Sequence, residues 1–217
     1  MIDIAHEIES TQREVGEDRT ADGATVRTVR LQRDLDAPID DVWDAFTSPE
    51  RIGRWFLPIS GDYRLGGTYQ FEGNAGGEIR ECDQPNRLKV TWVYGPLKSD
   101  ADISEVELRL SRAGDNRTHF VLEHTAVVPE EFWAMYGPGA VGVGWEGGLL
   151  GLELHLRGGS VGDPLAWQVS DEGREFNTRS SEAWGDAYRA YGAAEDAVAT
   201  AVANATAFYA PDPTAVP

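Results

Sequence analysis

The sequence predicts an α+β protein with an antiparallel sheet, one long helix and a C-terminal helical hairpin. Three observations lead to this prediction. Short runs of alternating apolar and polar residues recur at short intervals between positions 62 and 125, as antiparallel strands do. Two short helical segments precede these runs at 39–55, and a long helical segment follows them at 141–157. Two further amphipathic segments end the chain.

The stretch 35–61 contains the two short helices. Pro38 suits a first helical turn, because its missing N–H would have no partner there. The first helix then carries an apolar stripe at i, i+3, i+4 and i+7, formed by Ile39, Val42, Trp43 and Phe46. Ser48 is the predicted N-cap of the second helix, with Pro49 as its first residue and Ile52 and Trp55 facing inward.

The strands are predicted from alternation and from turn residues. The first is expected at 24–34, and the N-terminal segment 2–17, otherwise extended or frayed, could pair with it as a hairpin across 19–23. A short helix or loop is expected at 129–136. The remaining strands are predicted at 62–64, 68–72, 78–83, 87–94, 104–112 and 117–125.

The long helix carries its apolar stripe together with four glycines. The stripe comprises Val141, Trp145, Leu149, Leu152 and Leu156. The glycines are Gly144, Gly147, Gly148 and Gly151. Each costs about 1 kcal/mol relative to alanine in a helix interior, so something must offset them. Either the helix backbone packs closely against the sheet, or the missing side chains leave room for a ligand.

Segments 172–191 and 194–209 are predicted to form a helical hairpin joined at Gly192. Their apolar stripes must be buried, either against the rest of the chain or in a homodimer. We therefore divide the chain into a domain at 1–160 with an N-terminal extension at 1–23, a helical extension at 161–210, and a disordered tail at 211–217.

Composition excludes several classes of partner. The 37 acidic and 19 basic residues give a net charge of −18, which repels nucleic acids and anionic membranes. No apolar run could span a membrane and no signal peptide is visible, so a cytoplasmic protein is expected. The single cysteine, Cys82, excludes an internal disulfide and is expected to be buried or half-buried.

The sequence contains no motif for a metal or a cofactor. His119 and His124, five residues apart on one predicted strand, point to opposite faces. The other histidines also lack the spacing of a zinc site, and no nucleophile elbow, phosphate loop or dinucleotide fingerprint occurs. We predict no metal and no cofactor.

Three features follow one another along the chain, which are a first strand, the segment APIDDVWDAFTSPERIGRWF and the segment GDYRLGGTYQF. In the order of these features, the chain resembles the SRPBCC superfamily of START/Bet v 1-like helix-grip proteins. Within it, the chain is most similar to the branch named for the C-terminal domain of the activator of Hsp90 ATPase. The resemblance covers roughly 26–158. It implies a curved antiparallel sheet wrapped around the long helix, with a cavity between them. The fold hosts carriers, cyclases, hydratases and co-chaperones, so it does not define one activity.

Strand alternation places candidate residues in this implied cavity. Trp92 and Tyr94 share a face with Leu88 and Val90, and His124 shares one with Phe120 and Leu122. Arg64, Glu78 and Glu123 are further candidates. The residues predicted to bind a ligand are Trp55, Tyr69, Trp92, Tyr94, Phe120, Leu122, His124, Trp145, Gly148, Leu149 and Leu152.

Three functional hypotheses are open. The first is a non-catalytic protein that binds a small hydrophobic or aromatic ligand, with an Hsp90-type chaperone as a partner implied by the resemblance. The second is an enzyme of the polyketide cyclase or aromatase type, in which His124 would be the acid or base. The third is an interaction module that forms a homodimer through its C-terminal helices.

Overall fold

A computed structural model describes residues 2–95 and 104–211 of the chain. In these residues, nine strands form one antiparallel sheet in the order β1-β3-β9-β8-β7-β6-β5-β4, with β2 also paired to β3. The strands are β1 Gln12–Val15, β2 Arg19–Ala21, β3 Ala24–Leu35, β4 Ile59–Gly61, β5 Thr68–Phe71, β6 Gly76–Asp83, β7 Arg87–Thr91, β8 Ser104–Gly114 and β9 Arg117–Val127.

Eight helices accompany the sheet in the described residues, and the α+β helix-grip prediction is confirmed. The helices are α1 Ile4–Glu9, α2 Ile39–Thr47, α3 Pro49–Trp55, α4 Glu130–Tyr136, α5 Gly139–Leu156, α6 Pro164–Gln168, α7 Asp171–Tyr191 and α8 Glu195–Tyr209. The main core lies between the sheet, α2, α3 and α5, and includes Leu31, Leu35 and Leu122. Ser48 caps α3 as predicted, because its side chain accepts a hydrogen bond from the Arg51 N–H over 3.4 Å.

The N-terminal segment contains more regular structure than predicted. The side chain of Asp3 accepts from the His6 N–H and caps α1, a helix that periodicity did not indicate. β1 then pairs with β3, placing Arg13 opposite Leu31. This is the predicted pairing of segment 2–17 with the first strand, but residues 19–21, predicted as part of the turn, form β2 and pair with β3 across a tight turn with Asp22 at φ 50°.

Two strand predictions were wrong in their bounds. Residues 62–64 are a loop, since the strand in this region is β4 and Gly61 turns the chain with φ 143°. β7 ends at Thr91, so the alternation assumed as far as Tyr94 stops three residues earlier. Tyr94 consequently points outward and is 69% exposed.

The C-terminal helices pack onto their own chain, which was one of the two predicted alternatives. Trp184 of α7 is 1% exposed and covers Gly142 of α5. Ala205 of α8 lies against Gly139, also in α5. The short α6 was not predicted. The division of the chain at residue 160 stays a prediction, and residues 212–217 of the predicted tail lie outside the described residues.

Close packing explains part of the glycine content of α5, but the sheet is not the surface involved. A Cβ at Gly151 would lie 2.6 Å from the carbonyl oxygen of Trp55 in α3, and one at Gly142 would lie 2.3 Å from the ring of Trp184. A Cβ at Gly144 would lie 3.0 Å from the Tyr209 hydroxyl oxygen of α8. The prediction of packing against the sheet is therefore corrected to packing against α3, α7 and α8. Gly148 lines a cavity instead.

Candidate functional site

A cavity of about 340 Å³ lies between the inner face of the sheet and helices α2, α3 and α5. This volume is more than twice the ~150 Å³ of an apolar cavity that accepts benzene. Its wall is largely aromatic, because α2 and α3 direct an aromatic stripe at a sheet whose inner face is also aromatic. The aromatic lining residues are Trp43, Phe46, Trp55, Phe56, Tyr63, Tyr69, Phe71, Trp92, Phe120 and Trp145.

The exposed lining residues mark the mouth of the cavity. Tyr63, Arg64 and Leu65 belong to the loop between β4 and β5, and Leu65 is 65% exposed. Cys82 and Gln84 come from the end of β6 and the turn after it. The prediction that Cys82 is buried or half-buried was wrong, because it lies exposed near this turn.

The aromatic rings of the wall hold one another in place. The ring centroids of Trp92 and Trp145 are 4.7 Å apart, so the sheet and α5 meet through these two indoles. Phe71 lies 5.6 Å from Trp92, and Phe56 meets Phe71 edge to face at 5.0 Å. Tilted and edge-to-face contacts of this kind are the favourable arrangements for aromatic pairs, so the wall is preorganised.

The polar ends of two aromatic lining side chains, Tyr69 and Trp55, are hydrogen-bonded to the protein backbone. The Tyr69 hydroxyl donates to the Thr91 carbonyl oxygen over 2.6 Å, and the Trp55 indole N–H donates to the Ala45 carbonyl oxygen over 3.0 Å. Burial raises the pKa of Tyr69, so its phenol stays protonated at neutral pH. These two side chains therefore offer apolar surface to an occupant of the cavity.

His124 lies behind the wall of the cavity. Its Nδ1 accepts from the Trp145 indole N–H over 3.1 Å, and its Nε2 lies 3.1 Å from Ser104 Oγ. Because an indole N–H can only donate, Nδ1 is unprotonated and Nε2 carries the hydrogen of the neutral ring. Ser104 Oγ accepts this hydrogen and donates its own to the Trp92 carbonyl oxygen over 2.5 Å. In this arrangement the imidazole cannot accept a proton from Ser104.

Burial also keeps the imidazole ring of His124 uncharged. With the side chain 7% exposed, desolvation lowers its pKa to about 4, so the ring is neutral at physiological pH. A general acid or base needs a pKa nearer the working pH and a free path to the substrate. His124 has neither.

The structure brings most of the predicted ligand-binding residues together. Eight line the cavity, namely Trp55, Tyr69, Trp92, Phe120, Leu122, Trp145, Gly148 and Leu149. Three do not: Tyr94 is exposed beyond the end of β7, His124 lies behind Trp145, and Leu152 is fully buried in the core. Ligand binding by the eight stays a prediction.

The other candidates divide between the mouth and the outer surface. Arg64 lies at the mouth. Glu123 points from the outer face of the sheet and pairs with Arg30, whose Nη2 is 2.6 Å from its Oε2. Glu78 pairs with Arg80 at 3.2 Å. Neither glutamate is among the residues that line the cavity.

Several lining residues were missed by sequence reasoning. Phe71 could have been found, since it is two positions after Tyr69 on the same strand and therefore on the same face. Trp43 and Phe46 were recognised only as a helix stripe. Leu65 and Gln84 lie in a loop and a turn, where no periodicity indicates the direction of a side chain.

Residues 2–95 and 104–211 contain no group of three or more histidine, cysteine, aspartate or glutamate side chains that could hold a metal ion. In the same residues, no helix has the length and apolar character needed to cross a membrane.

Comparisons with known proteins identify the family. Residues 36–156, more than half of the chain, match the family model described as "Activator of Hsp90 ATPase homolog 1-like protein". The chain therefore belongs to this family, which lies within the SRPBCC superfamily. No curated protein matches the chain.

Solved structures agree with this assignment. The crystal structure of CalU16 from Micromonospora echinospora is 38% identical, with a TM-score of 0.64, and the match covers 82% of this chain and 98% of that one. MLL2253 from Mesorhizobium loti is 23% identical, with a TM-score of 0.52 over 61% of this chain and 97% of that one. DynU16, of the dynemicin biosynthetic locus, is 22% identical, with a TM-score of 0.50 over 61% of this chain and 48% of that one. The last two show similarity of fold alone.

Proposed function

We propose that this protein binds a small hydrophobic or aromatic molecule in the cavity between the sheet and α5. The observation that carries the proposal is the preorganised aromatic wall around about 340 Å³ of space. Pockets of this size with apolar and aromatic walls are the usual sites for small apolar ligands. The hydrogen bonds of Tyr69 and Trp55 within the protein support the same proposal, since they leave ring surface for the ligand.

The cavity wall favours binding over acid–base catalysis. Its titratable side chains among the described lining residues are Tyr63, Arg64, Tyr69 and Cys82. Burial raises the pKa of both tyrosines, so neither acts as a base near neutrality. His124, the residue assigned to a cyclase-type reaction, is separated from the cavity by Trp145 and its ring nitrogens are engaged. We therefore place the ligand-binding role first.

The two proposed protein partners have less support than the ligand. An Hsp90-type chaperone rests on the name of the family alone. The homodimer hypothesis required unburied stripes on the C-terminal helices, and those helices pack against α5. Both partners stay predictions.

The test uses two leucine variants of the same helix. Gly148 lines the cavity and its Cβ would lie 3.8 Å from the Phe56 ring, so Gly148→Leu directs a side chain into the ligand space. Among the described atoms, nothing outside the local backbone lies within 4 Å of a Cβ at Gly147, so Gly147→Leu is the matched control. The probe is flavone, an uncharged three-ring compound, titrated by quenching of tryptophan fluorescence and by thermal shift.

Flavone at 100 times its Kd should stabilise the protein by about 2.7 kcal/mol. We expect saturable binding in the unmodified protein and in Gly147→Leu, and loss of binding in Gly148→Leu with an unchanged circular dichroism spectrum. Occupancy should also slow alkylation of Cys82, the single cysteine, which lies at the mouth. Equal binding by both variants, or no saturable binding at all, would contradict the proposal.

A further inference from the structure

The charges around the cavity narrow the chemistry of its ligand. Among the described lining residues, Arg64 is the only one with a charged side chain, and it lies at the mouth with 78% of its side chain exposed. The inner wall therefore offers no cation to an anionic group. Transfer of an unpaired carboxylate into such a wall costs several kcal/mol or shifts its pKa until it is neutral.

Arg64, the cation at the mouth, already forms an ion pair within the protein. Arg64 Nε lies 2.6 Å from Asp62 Oδ2, so the two side chains form a pair with no net charge. A solvated surface pair of this kind contributes little to the binding of a further anion.

The whole chain reinforces this local pattern. Its net charge of −18 produces a negative potential that lowers the concentration of anions near the surface and raises that of cations. The faces of the aromatic rings act in the same direction, because their negative quadrupole attracts cations and not anions. The inner wall and the net charge thus disfavour an anionic ligand, and the mouth offers it only a cation that is already paired with Asp62.

Resting on the proposed function, we propose that the cavity binds aromatic compounds that are uncharged or carry a basic amine, and rejects compounds that carry a carboxylate or sulfonate. The occupant has two or three rings, since the cavity is about twice the size of one that holds benzene. Fatty acids and aromatic acids are excluded as ligands. Neutral polycyclic aromatics and aromatic amines are accepted.

The test uses three naphthalenes of nearly equal shape: 2-naphthalenemethanol, 2-naphthylmethylamine and 2-naphthoic acid. Each competes with the neutral fluorescent reporter N-phenyl-1-naphthylamine for the full chain at pH 7.5 in 20 mM salt. We expect the alcohol and the amine to displace the reporter at concentrations at least tenfold lower than the acid. Raising the salt to 500 mM should reduce the difference, because screening weakens the contribution of net charge. Displacement by the acid at the same or a lower concentration would overturn the inference.

Two charge variants localise the effect. Asp62→Asn removes the carboxylate that pairs with Arg64 at the mouth, and it should improve displacement by 2-naphthoic acid at least threefold, leaving the alcohol unchanged. Asp22→Asn makes the same change of charge in the turn between β2 and β3, at the opposite edge of the sheet, and should leave the acid as weak as before. Equal gains in both variants would overturn the role of the mouth.

The proposed function fails separately from this inference. If the reporter and flavone do not bind, or if Gly148→Leu binds them normally, the cavity is not a ligand site and both proposals fall. If they bind in the cavity and the acid competes as well as the alcohol, only the charge selectivity is wrong.

Discussion

The indole N–H of Trp145 donates to Nδ1 of His124 over 3.1 Å, with the two rings nearly perpendicular at 89°. This hydrogen bond ties α5 to β9 beside the proposed ligand site. The opposite nitrogen of the imidazole bonds to Ser104 at the start of β8. His124 is therefore placed to fix the orientation of Trp145, whose ring forms part of the cavity wall.

Replacement of His124 should cost stability and weaken ligand binding together. His124→Phe leaves the Trp145 N–H without its acceptor and removes the donor to Ser104 Oγ, and an unpaired buried donor costs about 1–3 kcal/mol. His124→Asn can still accept from one group and donate to the other, so it should retain part of the stability and of the flavone affinity. Urea unfolding and flavone titration measure the two effects.

The matched control for this pair is His119→Gln. His119 belongs to the same strand, has a side chain that is 41% exposed and pairs with Asp34 at 2.8 Å. We expect a change within ±0.5 kcal/mol there, as for most surface substitutions. If His124→Phe unfolds no more easily than His119→Gln and binds flavone normally, His124 does not position Trp145.

His124 should also make the protein sensitive to acid. The folded protein binds this proton with a pKa of about 4, whereas the unfolded chain binds it at about 6.5. Between these values the unfolded state holds more protons, so stability falls as the pH is lowered from about 6.5 to about 4. The loss from this residue amounts to roughly 3 kcal/mol.

Urea unfolding at pH 7.5, 6, 5 and 4 for the unmodified protein and for His124→Asn isolates this contribution. The variant should lose less stability over that range, by roughly 3 kcal/mol. Parallel curves for the unmodified protein and His124→Asn would show that the buried imidazole does not cause the acid sensitivity.

Strand alternation predicted which faces of the sheet are buried, and it failed where the strands end. Trp92 and Phe120 were placed correctly because β7 and β9 keep their pleat up to or close to these residues. Tyr94 was misplaced because β7 ends at Thr91, and three residues further on the backbone no longer follows the period-2 alternation of the strand. The local alternation of apolar and polar residues predicts which face of the sheet a residue lies on, but it does not predict where the strand ends.

The cavity itself depends on contacts between distant segments. His124 was correctly assigned to the buried face, but only the position of α5 shows that Trp145 lies between it and the cavity. The periodicity of α5 gives the direction of its stripe and not its distance from the sheet. Cys82 and Leu65 line the mouth through a turn and a loop, for which the sequence contains no periodic signal.

Two glycines of α5 should respond in opposite ways to alanine. At Gly142 the new Cβ would lie 2.3 Å from the Trp184 ring, so Gly142→Ala must displace α7 and should destabilise the protein by about 1–3 kcal/mol. At Gly147 the space is open, so Gly147→Ala should stabilise the helix by up to about 1 kcal/mol. Thermal unfolding of the two variants measures the contrast. Equal shifts would mean that α7 does not pack on α5 as described.

A buried ion pair should hold the N-terminal segment to the helices. Glu146 of α5 is 2% exposed; its Oε2 accepts from Arg13 Nε over 2.9 Å and from Ser180 Oγ over 2.8 Å. Glu146→Gln leaves the buried guanidinium of Arg13 without its counter-charge, a loss that costs about 3–5 kcal/mol. β1 should then exchange its amide hydrogens faster, since Arg13 lies on that strand.

The surface pair between Glu50 and Arg54 provides the control. It has the same chemistry at i, i+4 with side chains 78% and 58% exposed, so Glu50→Gln should change stability by less than about 1 kcal/mol. Urea unfolding of both variants, with hydrogen exchange of the N-terminal segment in Glu146→Gln, makes the comparison. A cost at Glu146 no larger than at Glu50 would mean that β1 and α1 are held by their apolar contacts, such as that of Ile4 with Phe176, and not by the buried charges.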